Sequence, residues 1–169
     1  MTTKRGCDVA KSVFHSFHYD RDYWRVQQVL RIGALDGQTI LNSQDWEKVK
    51  LQGDAAIQKW IADQMAYKKA VVVLVGAQTA SRKWVKHEIV KAWNDKKPLV
   101  GIRIHGLQNS EQKTDSAGPN PFESIKFDTG GSLADYIPLY DPSGATSKDV
   151  FASITANISN WVDSAYLRS

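Results

Sequence analysis

Apolar positions along the chain fall into stretches of different period. SVFHSF at 12–17 alternates apolar and polar side chains, as a half-buried strand does. A polar cluster at 18–22 ends it, and a helix is expected over 23–32. A brief second strand is expected at 39–41, within an otherwise polar stretch. Between 54 and 67, Ile57, Trp60, Ile61 and Met65 share one helical face. AVVVLVG at 70–76 is continuously apolar and rich in β-branched residues, the pattern of a strand covered on both faces of a parallel sheet. Ser81 stands where it would cap a helix over 81–95, which turns Val85, Ile89 and Ala92 inward and stops before Pro98. LVGIRI at 99–104 reads as another buried strand. A last helix over 148–165 carries Val150, Phe151, Ile154, Ile158, Trp161 and Val162 at helical spacing.

Strand, helix and strand in alternation point to right-handed βαβ crossovers and an α/β, doubly wound parallel sheet. The length of 169 residues suits a single domain over 12–169, preceded by a flexible tail at 1–11. The stretch 106–135 is rich in Gly, Ser, Asn, Asp and Pro, contains GPNPF at 118–122, and is expected to be a long surface insertion. With 42% apolar and 24% charged residues, wholesale disorder is excluded. The longest apolar run, 70–77, falls short of the ~18 residues of a membrane span. The basic N-terminus has no apolar segment behind it, so a cytoplasmic location without membrane attachment is expected.

Charge and single residues change this picture little. A formal net charge of +4 favours anionic ligands weakly, and the lysine pairs Lys68-Lys69 and Lys96-Lys97 are isolated, so no nucleic-acid partner is expected. The lone Cys7 reads as a bystander. His15, His18, His87 and His105 lack metal-ligand spacing, and no metal site is expected. GxGxxG, GxxxxGKS and GxSxG are all missing.

The segment 76–93, GAQTASRKWVKHEIVKAW, remains. In it Glu88 follows Trp84 by one helical turn, on a helix that starts beyond the carboxyl end of a buried strand. Ligands of open α/β sheets bind at that edge, and the segment 17–22 would open onto it. The plainer reading is an ion pair between Glu88 and Lys91 with Trp84 as packing. A receiver-like phosphoacceptor built on Asp20, Asp22 and Thr79 is a further alternative. It lacks a nucleophilic Asp ending a middle strand and a Lys ending a later one, since LVGIRI is followed by His105 and Gly106.

WVKHEIVKA at 84–92 closely resembles the Trp-x-x-x-Glu segment of NAD-cleaving TIR domains. With it, SVFHSFHYDRDYWRV (12–26), NSQDWEKVK (42–50), VLVGAQTASRKWVKHEI (73–89), GIRIHGL (101–107) and GPNPF resemble the bacterial TIR-like family that contains the Thoeris anti-phage sensor. The resemblance implies a flavodoxin-like fold and an enzyme that splits the nicotinamide–ribose bond of NAD. NAD is then the substrate, and no cofactor is required. Glu88 is the implied catalytic residue; Phe17, His18, Tyr19, Trp46 and Trp84 are the implied substrate contacts. Phe17 fits core packing equally well, Arg21 is a further candidate for the pyrophosphate, and Asp22 with Arg25 fits a simple ion pair. The implied product is ADP-ribose or a cyclic ADP-ribose isomer that signals to a separate effector, with self-association on activation and a phage-derived trigger. Asn42 departs from the acidic residue expected four positions before Trp46. A noncatalytic TIR-like assembly module is the alternative.

Overall fold

The computed structural model describes residues 10–169, so Cys7 and most of the expected tail at 1–11 lie outside the described residues; Lys11 already opens the first strand. Five strands, β1 (Lys11–Phe17), β2 (Leu35–Gly37), β3 (Ala70–Val75), β4 (Leu99–Arg103) and β5 (Leu139–Tyr140), form one sheet. Every strand pair is parallel and the spatial order is β2-β1-β3-β4-β5, the flavodoxin-like order. Around the sheet run α1 (Tyr19–Arg31), α2 (Ser43–Leu51), α3 (Asp54–Met65), α4 (Lys83–Asn94) and α5 (Ser147–Asp163).

Strand alternation divides the core into two layers. Val13, Val72, Leu74, Val100 and Ile102 pack with Val26 and Val29 of α1 and with Val150, Ile154, Ile158 and Val162 of α5. Phe14, Val71, Val73 and Val75 face Ile57, Ile61 and Met65 of α3 and Val85, Ile89 and Ala92 of α4. All six residues of β3 are buried, as their uninterrupted apolar run requires of a strand with helices on both faces.

Several local expectations are corrected. The helix expected from residue 23 begins at Tyr19, because the Asp22 N–H already donates to the His18 carbonyl at 3.0 Å, and Asp20 and Asp22 place negative charge in a helical first turn. The polar cluster therefore belongs mostly to the helix, and only His18 separates it from β1. No strand forms at 39–41. The second strand lies at Leu35–Gly37, and beyond it the side chain of Gln38 stands in for backbone: the His15 N–H donates to its Oε1 at 2.8 Å, and its Nε2 donates to the His15 carbonyl at 2.9 Å. α4 begins at Lys83, since residues Thr79–Ser81 form a 3-10 turn in which the Ser81 hydroxyl donates to the Gln78 carbonyl and caps no helix. The last helix is Ser147–Asp163, capped by Thr146. α2 and the two-residue β5 are additions.

The stretch 106–135 contributes to the core as well as to the surface. Leu107 and Phe122 are fully buried, Phe122 filling the space over Gly101, where a Cβ would meet its ring at 2.8 Å. Arg25, itself buried, ties the stretch to α1 by donating to the carbonyls of Leu107 at 2.8 Å and Lys113 at 3.0 Å. The first glycine of GPNPF, Gly118, lies so close to the carbonyls of Gly76 and Ala77 that a Cβ would collide with both, and Arg103 donates to the Gly118 carbonyl at 2.6 Å. These contacts seat the stretch against the carboxyl end of β3.

Candidate active site

The strand order reverses at β1, which has β2 on one side and β3 on the other. The crevice beyond the carboxyl ends of β1 and β3 is therefore the topological switch point. Ser16, next to last in β1, points toward α4. Its hydroxyl donates to Oε1 of Glu88 at 2.6 Å, joining residues 72 positions apart in the chain. Glu88 is only 9% exposed, and among the described residues no cation lies within salt-bridge distance of it; Lys91 pairs with Asp95 at 2.8 Å instead. Burial pushes the Glu88 carboxyl up from 4.5 to about 8, against the opposing pull of the Ser16 hydrogen bond. At neutral pH Glu88 is thus a neutral acid, because the single hydroxyl from Ser16 offsets only part of the cost of a buried charge.

Glu88 lines a narrow cavity of about 50 Å³ together with Phe17, Tyr19, Gln38, Trp46, Trp60 and Trp84. Successive rings form a continuous wall: Phe17 stacks on Tyr19 at 5.7 Å, Tyr19 on Trp46 at 5.7 Å, and Trp46 meets Trp60 at 5.8 Å. The Tyr19 hydroxyl is buried with no hydrogen-bond partner among the described residues, and burial raises it to about 12. A cavity this small is far below the ~300 Å³ of ordinary ligand pockets, so a nucleotide can enter only if the aromatic wall parts. The element carrying Trp46 suits such a movement, since α2 has no fully buried residue. Asn42 caps that helix by accepting the Asp45 N–H at 2.8 Å.

Five of the six residues singled out from the sequence, Phe17, Tyr19, Trp46, Trp84 and Glu88, line this one cavity. His18 does not. As the residue preceding α1 it faces an adjoining cleft, where its proton affinity is lowered by burial and by the nearby Arg82. Arg21 is directed elsewhere, bonded to Asp115 at 2.7 and 3.1 Å. Asp22 and Arg25 form a buried pair at 2.8 Å. The receiver-like reading finds no support: Asp22 is engaged by Arg25, and the Thr79 hydroxyl is fully buried, accepting the Gly76 N–H at 2.7 Å. Ser16 and Gln38 escaped the sequence reading. The signal for Ser16 was a hydroxyl on the inward face of a buried strand, where a polar group needs a partner.

The family model described as "Thoeris protein ThsB, TIR-like domain" matches residues 14–109, a span that holds Ser16, the aromatic wall and Glu88. The chain belongs to the Thoeris ThsB family. A relative from Bacillus cereus, named "Putative cyclic ADP-D-ribose synthase ThsB1", is 30% identical over 129 residues. That alignment covers 70% of this chain and 65% of the relative, so the chain spans somewhat under two thirds of that protein's length. In this member of the ThsB family the carboxyl sits at the switch-point crevice, walled by flat apolar surfaces and held by one hydroxyl. Such a group can ionise beside an incoming cation and stabilise positive charge there, and the rings can bury a planar heterocycle. No helix among the described residues is long and apolar enough to cross a membrane.

Proposed function

We propose that this ThsB-family protein cleaves the bond between nicotinamide and ribose in NAD, with Glu88 as the catalytic carboxylate. The buried Glu88–Ser16 pair inside an aromatic cavity at the switch point carries the reading. The C1′–N1 bond breaks with its electron pair leaving on neutral nicotinamide, and positive charge develops on the ribose. A carboxylate fixed against that ring stabilises the charge as in glycoside hydrolysis. The substrate's own cationic pyridinium favours ionisation of Glu88 on binding, so the neutral acid becomes the anion when it is needed.

Attack on C1′ by water, which gives up a proton, yields ADP-ribose; attack by a nucleophile of the same dinucleotide yields a cyclic isomer. The printed name of the Bacillus cereus relative favours the cyclic outcome, and an internal nucleophile held near C1′ has a large effective concentration. The product then acts as a signal to a separate effector, with a phage-derived trigger and self-association opening the aromatic wall.

The test incubates the purified protein with NAD, with and without extract of phage-infected cells, measures nicotinamide release and identifies nucleotide products by mass. Glu88→Gln is expected to lose ~100-fold or more in rate. Undiminished turnover by the folded variant would overturn the assignment, and no turnover under any condition would leave the noncatalytic assembly module.

A further inference from the structure

The cleft next to the Glu88 cavity has a chemistry opposite to it. It encloses about 270 Å³ and adjoins the inner cavity, since Phe17, Tyr19, Trp46 and Trp84 line both. The inner side presents a single carboxyl. Among the described residues the outer side presents Lys50, Arg82 and Lys83, with Asp20 as its one acidic lining residue.

We propose that this outer cleft binds the pyrophosphate of a dinucleotide whose nicotinamide riboside end occupies the inner cavity, with Arg82 and Lys50 as the cationic contacts. The proposal rests on the NAD reading and extends it to the anionic half of the substrate. NAD has a cationic pyridinium at one end and a doubly anionic linker one methylene beyond the ribose, and the two compartments present matching charge in that order.

The commitments of the three cations separate their roles. Lys83 is engaged by Asp54 at 2.5 Å and lies 4.8 Å over the Trp84 ring. Lys50, half-buried, bonds the exposed Glu47 at 2.7 Å, a pair that solvent screens and that can exchange. Among the described residues Arg82 takes part in no ion pair, and its charge lowers the proton affinity of His18, which lines the same cleft. A guanidinium suits this position because its fork of donors matches two phosphate oxygens at once. The second, independent sign is the Tyr19 hydroxyl. Among the described residues it is buried without a partner, in a side chain that lines both spaces, and a ribose or phosphate oxygen reaching it as the rings part would satisfy it.

The test compares NAD with nicotinamide riboside, which has the same scissile bond and no phosphate, in the full-length wild-type, Arg82→Gln and Glu88→Gln proteins. In Arg82→Gln the ratio of kcat/KM for NAD to that for the riboside is expected to fall roughly tenfold or more, through KM and most steeply at low salt. An equal loss on both substrates, or none, overturns the proposal. Glu88→Gln is expected to abolish both reactions. A second arm needs no turnover: ADP-ribose is titrated calorimetrically into Glu88→Gln and into Glu88→Gln with Arg82→Gln. Roughly tenfold weaker binding without Arg82, with competition by inorganic pyrophosphate, supports the cleft even if NAD is never cleaved. Equal ADP-ribose affinity in the two proteins, or no binding by either, overturns it even if Glu88 proves catalytic. Arg82 is exposed, and circular dichroism of each variant verifies the fold.

Discussion

Replacing Glu88 by Gln should remove activity and add stability, and the added stability should depend on pH. In the native protein the carboxyl is buried among aromatic rings, accepts one hydrogen bond at 2.6 Å and titrates near 8 instead of 4.5. Below about pH 4.5 the group is protonated in both the native and the unfolded chain and contributes no pH dependence. Above that the unfolded chain releases the proton while the native state keeps it. The native state then binds more protons, and stability falls as pH rises, by roughly 1.4 kcal/mol per pH unit. The fall levels off above pH 8, where both states are ionised, after a cumulative cost on the order of 5 kcal/mol. Gln keeps the shape and still accepts the Ser16 hydroxyl but carries no titrating proton. Its advantage over wild type should therefore be absent near pH 4.5, grow steadily through neutrality and reach a plateau beyond pH 8. Urea unfolding of both proteins at half-unit steps from pH 4.5 to 9, with nicotinamide release followed on the same samples, measures both effects. A stability difference that stays constant across this range would refute the reasoning, since it would mean that Glu88 titrates alike in the native and unfolded chain.

In the wild type, kcat/KM for NAD should climb with pH up to about 8, because the free protein must ionise Glu88. Ser16→Ala removes the one hydrogen bond that favours the anion, so the midpoint of that climb should move to higher pH, and a midpoint unchanged or lowered would exclude Ser16 as a positioning residue. Asn42→Ala deletes the cap of α2 and should cost about 1 kcal/mol by denaturant unfolding, while loosening the helix that carries Trp46. Phe122→Ala should cost about 3–5 kcal/mol, since it empties a fully buried site over Gly101; a cost under 1 kcal/mol would show that 106–135 is not part of the core.

Much of the fold can be read from local pattern. The run at 70–75, the inward stripes of α4 and α5 and the strand–helix alternation specify a parallel α/β sheet, because burial on one face or two imposes a period on the chain itself. The one-turn spacing of Trp84 and Glu88 likewise places both near one crevice before any tertiary contact is known. α2 left little trace, since a helix without a fully buried residue has no apolar stripe to announce it, and its only sign is Asn42 three positions before Asp45. β2 was misplaced because its continuation is a side chain, Gln38, bonded to a strand 23 positions away. Phe122 looked like surface because its surroundings are polar, and only the bare Gly101 across the sheet makes room for it. The chemical state of Glu88 is likewise a tertiary property. Its low exposure, its hydroxyl partner on β1 and the aromatic rings from β1, α1, α2 and α3 come from segments far apart in sequence. Period is imposed locally by burial, whereas the solvation of a charge depends on everything that converges around it.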